Sequence, residues 1–153
     1  MSALWQILEP GCIELDLKAR RKEEALAEMA AILAKTGRIT DPEELTRALV
    51  AREKLTSTGV GEGIAIPHAM LAGLGETLLA LGRKAEGLPF DAIDRKPVQL
   101  IFLLAGPPGR ELTHLQLLSR LARLLRDAAF REALMSAQEP REVLDLLKSR
   151  EEA

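Results

Sequence analysis

Apolar positions along the chain fall into short and long runs, the pattern of strands interleaved with helices. Cys12-Ile13-Glu14-Leu15-Asp16-Leu17 alternates apolar and acidic side chains and predicts a half-exposed strand. From Arg20 to Lys35, Ala25, Leu26, Met29, Ala30, Ile32 and Leu33 recur at three- and four-residue steps, predicting a helix that stops at Gly37. Asp41-Pro42-Glu43-Glu44 opens a second helix with a capping carboxylate, a proline at the first helical position and acids in the first turn. Leu45, Ala48, Leu49 and Arg52 continue it until Lys54-Leu55-Thr56-Ser57-Thr58-Gly59 breaks the period. Leu78 to Arg83 predicts a strand and Phe90 to Asp94 a loop. Val98 to Ala105 predicts a strand apolar on both faces, as in a sheet covered by helices on both sides.

Gly106-Pro107-Pro108-Gly109 interrupts the chain, and a long helix is expected from Thr113 to Asp127, with Leu115, Leu118, Leu121, Ala122 and Leu125 facing inward. Two shorter helices, around Ala129–Met135 and Arg141–Lys148, complete the pattern. There is no internal repeat, linker or low-complexity stretch. The expectation is one α/β domain over residues 1–153, with a small mixed central β-sheet flanked by helices on both faces.

Composition narrows the function classes. At 153 residues the chain is long enough to bury a real core, and its apolar content is that of a globular protein. A formal charge of −2 with interspersed signs argues against nucleic acid as a partner, which requires a clustered excess of Lys and Arg. Lys18-Arg20-Arg21-Lys22 and Arg120-Arg123-Arg126 are flanked by acids and read as solvated helix surface. Cys12 is the sole cysteine, so there is no disulfide and no thiolate metal cage, and it reads as buried filler. The N-terminus lacks a basic segment followed by an apolar core. No apolar run approaches the roughly 20 residues that span a bilayer, so a soluble cytoplasmic chain without membrane insertion is expected.

The candidate chemistry gathers in Thr58-Gly59-Val60-Gly61-Glu62-Gly63-Ile64-Ala65-Ile66-Pro67-His68-Ala69. A lone histidine is usually structural. Here His68 sits at a predicted strand end, where α/β folds place ligands, and Pro67 rigidifies the approach. A neutral imidazole nitrogen is a good nucleophile near neutral pH. The glycines lack the dinucleotide spacing and no Lys-Ser/Thr follows, so a nucleotide loop is rejected in favour of a tight turn. His114, after the capping candidate Thr113, reads by itself as a solvated first-turn histidine, Arg52 as a surface charge, and Ser57-Thr58 as loop and capping residues. No carboxylate lies at ligand spacing from either histidine, so no metal or other cofactor is expected.

Three segments together resemble a known family. Ala51-Arg52-Glu53 with Ser57 to His68 resembles the active-site signature of enzyme IIA domains of the fructose–mannitol class, in the bacterial phosphoenolpyruvate-dependent phosphotransferase system. Pro89-Phe90-Asp91-Ala92-Ile93-Asp94-Arg95-Lys96-Pro97-Val98 resembles that family's turn into its core strand, and Thr113-His114-Leu115-Gln116-Leu117-Leu118-Ser119-Arg120-Leu121-Ala122 its second histidine segment. The resemblance spans nearly the whole chain. It implies that His68 accepts a phosphoryl group, usually on Nε2, from the phosphohistidine of HPr or its nitrogen-branch counterpart, with Arg52 and His114 in support and no metal or nucleotide. It further implies a free-standing, nitrogen-related IIA acting by phosphorylation-dependent binding. The second reading is a fructose- or mannitol-type IIA serving a separate IIB, and the third a regulatory module with vestigial phosphorylation. His68 is followed by Ala69-Met70-Leu71, more apolar than the nitrogen branch usually carries, and such a rim suits docking of another protein.

Overall fold

The computed structural model describes residues 2–153. In chain order the elements are α1 (Leu4–Ile7), β1 (Leu8–Glu14), α2 (Lys22–Ala34), α3 (Pro42–Leu55), β2 (Gly59–Gly61), β3 (Ile64–Ala65), β4 (His68–Met70), β5 (Leu78–Leu88), β6 (Val98–Gly106), α4 (Glu111–Leu124), α5 (Ala128–Ser136) and α6 (Pro140–Glu152). The sheet is mixed, as the patterning implied, with strand order β1-β5-β6-β3-β2 and β4 added beside β6. β5 and β6 run antiparallel through the centre; β3 and β4 both pair with β6 in parallel, one after the other along its length.

The sheet centre follows from its sequence. Consecutive residues Leu78 to Leu81 and Leu100 to Ala105 are all buried, and successive strand side chains point to opposite faces, so both faces are covered. α2 and α3 pack on each other and against β5 and β4, while α1 and α5 pack against α6. The N-cap of α3 is built as its sequence demands: the Asp41 carboxylate accepts from the backbone N–H groups of Glu43 and Glu44, with Pro42 at the first position.

Several boundaries differ from expectation for identifiable reasons. The first strand is Leu8–Glu14 rather than Cys12–Leu17, because an edge strand tolerates Pro10 and a register shift lies between Leu8 and Ile13. α4 starts at Glu111, so Thr113 is not its cap. Its inward face is only partly the expected one: Leu121 and Leu125 are buried and Leu118 packs against the core as expected, but His114 and Leu117 are buried as well and Leu115 is exposed. Lys22 is not solvated surface either; its ammonium lies 2.7 Å from the buried Glu53 carboxylate. Cys12 is buried as expected, and burial pushes its thiol pKa up, away from nucleophilic use.

Candidate active site

The glycine-rich segment folds as a miniature hairpin. β2 and β3 pair antiparallel, Gly59 opposite Ala65 and Gly61 opposite Ile64. Glu62 and Gly63 between them both have positive φ (58° and 79°), the signature of a two-residue turn matched to strand twist. At Gly59 the need is space: a Cβ there would lie 2.8 Å from the Cβ of Ala92 in the loop that packs over the hairpin. That loop is tied on by the Asp94 carboxylate, which accepts from the Glu62 N–H at 3.0 Å and from the Lys96 N–H at 3.1 Å. These two backbone bonds, Lys96 first, hold the Asp94 carboxyl below the ordinary range.

Pro67 ends the hairpin without a donor, and the chain re-enters the sheet as β4, with His68 opposite Leu104. His68 therefore begins a strand rather than terminating one. Its ring is half-buried, and Nδ1 lies 2.9 Å from the Ile66 carbonyl oxygen. A carbonyl can only accept, so this contact puts the proton on Nδ1 and leaves the Nε2 lone pair free.

His114, in the first turn of α4, faces His68 with ring centroids 5.4 Å apart and planes tilted by 53°. It is only 4% exposed, so the solvated reading does not hold. Neither ring nitrogen has a hydrogen-bond partner among the described residues. Burial, and secondarily the neighbouring His68, lower its pKa to about 4, which makes it a neutral imidazole at physiological pH. Space for it comes from Gly106, the last residue of β6: a Cβ there would sit 3.0 Å from His114 Nδ1 and 3.3 Å from Thr77 Oγ1.

Arg52 lies in the last turn of α3, which packs against β4. Its guanidinium is half-exposed and donates from Nη1 to the Thr56 carbonyl at 2.9 Å. The fold thus brings the two histidines ring to ring, while Arg52 sits on the neighbouring element and directs its hydrogen bond to its own loop. Glu53, the next residue, lies within the signature segment, but nothing in its local sequence marks it for a role. Its buried carboxylate accepts from the Thr58 N–H at 3.1 and 3.2 Å, from the Thr58 hydroxyl, and from Lys22. Ser57 donates to the Phe90 carbonyl and accepts from the Gly59 N–H, so the Ser57-Thr58 pair indeed serves the loop. No group of three His, Cys, Asp or Glu side chains gathers as a metal site among the described residues, and no described helix is long and apolar enough to cross a membrane.

Residues 6–150 match the family described as the phosphoenolpyruvate-dependent sugar phosphotransferase system, EIIA 2. The fructose-specific EIIABC component of Bacillus subtilis is 35% identical over 93% of this chain, which spans 22% of that longer protein. The nitrogen regulatory protein IIA-Ntr of Neisseria meningitidis superposes with a TM-score of 0.89 at 37% identity, covering 94% of this chain and 98% of its own. The Escherichia coli mannitol enzyme IIA, solved in complex with phosphorylated mannitol enzyme IIB, is 30% identical with a TM-score of 0.78, over 94% of this chain and 99% of its own. With the match running almost end to end, this chain belongs to the type-2 enzyme IIA family of the phosphoenolpyruvate-dependent sugar phosphotransferase system.

Proposed function

We propose that the protein is a phosphoryl carrier of the nitrogen-related branch, taking a phosphoryl group on His68 Nε2 from the phosphohistidine of HPr or its nitrogen-branch counterpart in the cytoplasm. The observation that carries this is the 2.9 Å contact between His68 Nδ1 and the Ile66 carbonyl, which leaves Nε2 as the nucleophile. In the transfer, a P–N bond forms at Nε2 as the P–N bond to the donor imidazole breaks. The donor ring recovers its lone pair, and the Nδ1 proton of His68 stays in place, hydrogen-bonded to the Ile66 carbonyl. Bonds of the same kind are made and broken, so positioning and charge stabilisation supply the catalysis.

Support for the transferring group comes from two side chains. Neutral His114 offers one N–H to a phosphoryl oxygen from a dry pocket, where a hydrogen bond is strong and the alternative is an unpaired donor. Arg52, freed from its bond to the Thr56 carbonyl, presents a fork of donors to the same oxygens. Leu112 and Leu115, 69% and 62% exposed on the helix that carries His114, supply apolar surface for a docking protein. The nitrogen branch is favoured by the close fit to IIA-Ntr over nearly the full length of both chains. The EIIABC match and the IIB complex keep a second reading, a sugar-type IIA that passes the group to a separate IIB.

The test is labelling with phosphoenolpyruvate, enzyme I and HPr, followed by peptide mass mapping. The parent protein acquires one acid-labile phosphate on the peptide containing His68, and His68→Ala acquires none. Equal labelling of the variant would refute the assignment. Transfer onward to candidate IIB domains separates the two readings.

A further inference from the structure

We infer that Glu53 is a positioning residue for His68, acting through Thr58 and Ile66 with Lys22 as its counterion. The effect on rate rests on the phosphoryl-carrier reading above; the effect on the imidazole does not. The basis is an ion pair from α2 followed by hydrogen bonds, linked through the backbone of Thr58 and Ile66, that reach the nucleophile. Lys22 Nζ lies 2.7 Å from the Glu53 carboxylate. That carboxylate accepts from the Thr58 N–H and hydroxyl. The Thr58 carbonyl accepts from the Ile66 N–H at 3.0 Å, and the Ile66 carbonyl accepts from His68 Nδ1 at 2.9 Å. Glu53 thus holds the root of the hairpin whose far strand leads directly into Ile66, the carbonyl of which orients the imidazole.

The arrangement is costly as a mere fastening. The Glu53 side chain is 5% exposed and that of Lys22 17%, so both charges are largely removed from water. A buried ion pair returns little net stability over apolar residues of similar volume. What it does supply is direction: the carboxylate fixes both donors of Thr58 at once, and Lys22, whose ammonium also lies 4.8 Å from the Phe90 ring centroid, locks the carboxylate's own rotation. The glycine-rich β2, whose pairing with β3 already carries a register shift between Gly59 and Gly61, specifies its register weakly, and a displaced Ile66 carbonyl would release the imidazole to the wrong tautomer.

The test uses the full chain and reads two quantities that fold integrity alone does not move. Nitrogen-15 NMR of the imidazoles gives the His68 tautomer, and transfer from phosphorylated HPr at varied carrier concentration separates kcat from KM. For folded Glu53→Gln we expect a shift from the Nδ1–H toward the Nε2–H tautomer and a kcat lower by about tenfold, the scale of losing an orienting partner, with KM for the carrier unchanged. Lys22→Arg, which keeps the ion pair, should retain the parent tautomer and kcat, whereas Lys22→Met should not. Should Glu53→Gln fail to fold, Thr58→Val, which removes only the hydroxyl link, is judged by the same two readings. A folded variant with the parent tautomer and the parent kcat overturns the inference. If the parent protein takes no phosphoryl group, the carrier reading falls, and the tautomer comparison still decides the role of Glu53.

Discussion

His114→Leu should make the domain more stable while making it a poorer phosphoryl acceptor. The imidazole is buried with both nitrogens unpartnered among the described residues. Each buried unpaired polar atom costs about 1–3 kcal/mol, and a leucine of similar volume removes both at a repacking cost under about 1.5 kcal/mol. A net gain of about 1–3 kcal/mol is expected near neutral pH. The pH dependence sharpens the prediction. The folded-state pKa is depressed from 6.5 to about 4, so between those values the unfolded chain binds the proton and the folded chain does not. Stability of the parent therefore falls as the pH drops below about 6.5 and levels off below about 4. At about pH 5 this single group removes about 2 kcal/mol that the variant retains, so the gap between the two proteins should widen by that amount relative to about pH 8. Urea unfolding of both proteins at the two pH values measures it, and titrations common to both cancel in the difference. A variant less stable than the parent at both pH values, or a gap that does not change, would refute the assignment of a neutral, unpartnered His114.

Three further outcomes follow from the geometry. Arg52→Ala should slow phosphoryl transfer at least about tenfold, while costing under about 1 kcal/mol of stability, since its one side-chain bond among the described residues is to the Thr56 carbonyl on an exposed loop; stopped-flow transfer and thermal melts check both halves. Gly82→Ala should cost about 1–3 kcal/mol without touching the site, because a Cβ at that position would lie 2.5 Å from Met29 Sδ and 2.7 Å from Leu17 Cδ1 in the packed core; urea midpoints with unchanged transfer rates would show it. Asp41→Ala should cost about 1 kcal/mol through the lost α3 cap, measured the same way.

What the sequence disclosed and what it hid divide along the range of the forces involved. The start of α3 is written in adjacent residues, Asp41 and Pro42, and its observed cap is the expected one. β6 was legible because its apolar run exceeds what a half-exposed strand would carry. The phase of α4 was legible only in part, at Leu121 and Leu125: leucines at 112, 115, 117, 118, 121, 124 and 125 surround that helix almost completely, so several faces satisfy the period. Only the packing of α4 on β6, with Gly106 left bare, selects the face that buries His114. Lys22 and Glu53 are far apart in the chain and each looks like ordinary helix surface; their pairing exists only after α2 and α3 pack together. The four-residue α1 is too short to show a period at all.

His68 is proposed as the nucleophile from its local setting of glycines, a short apolar run and a proline. The structure adds the reason this imidazole differs from any other: one nitrogen is committed to a backbone carbonyl two residues earlier. That commitment predicts which nitrogen reacts. Phosphorylating the protein through enzyme I and HPr and recording the phosphorus and nitrogen NMR spectra of the phosphohistidine tests the point directly. The expected spectrum is that of a single phosphoryl group bonded to Nε2 of His68, with the Nδ1 proton retained and still hydrogen-bonded. Phosphorus on Nδ1, or on any residue other than His68, would contradict it.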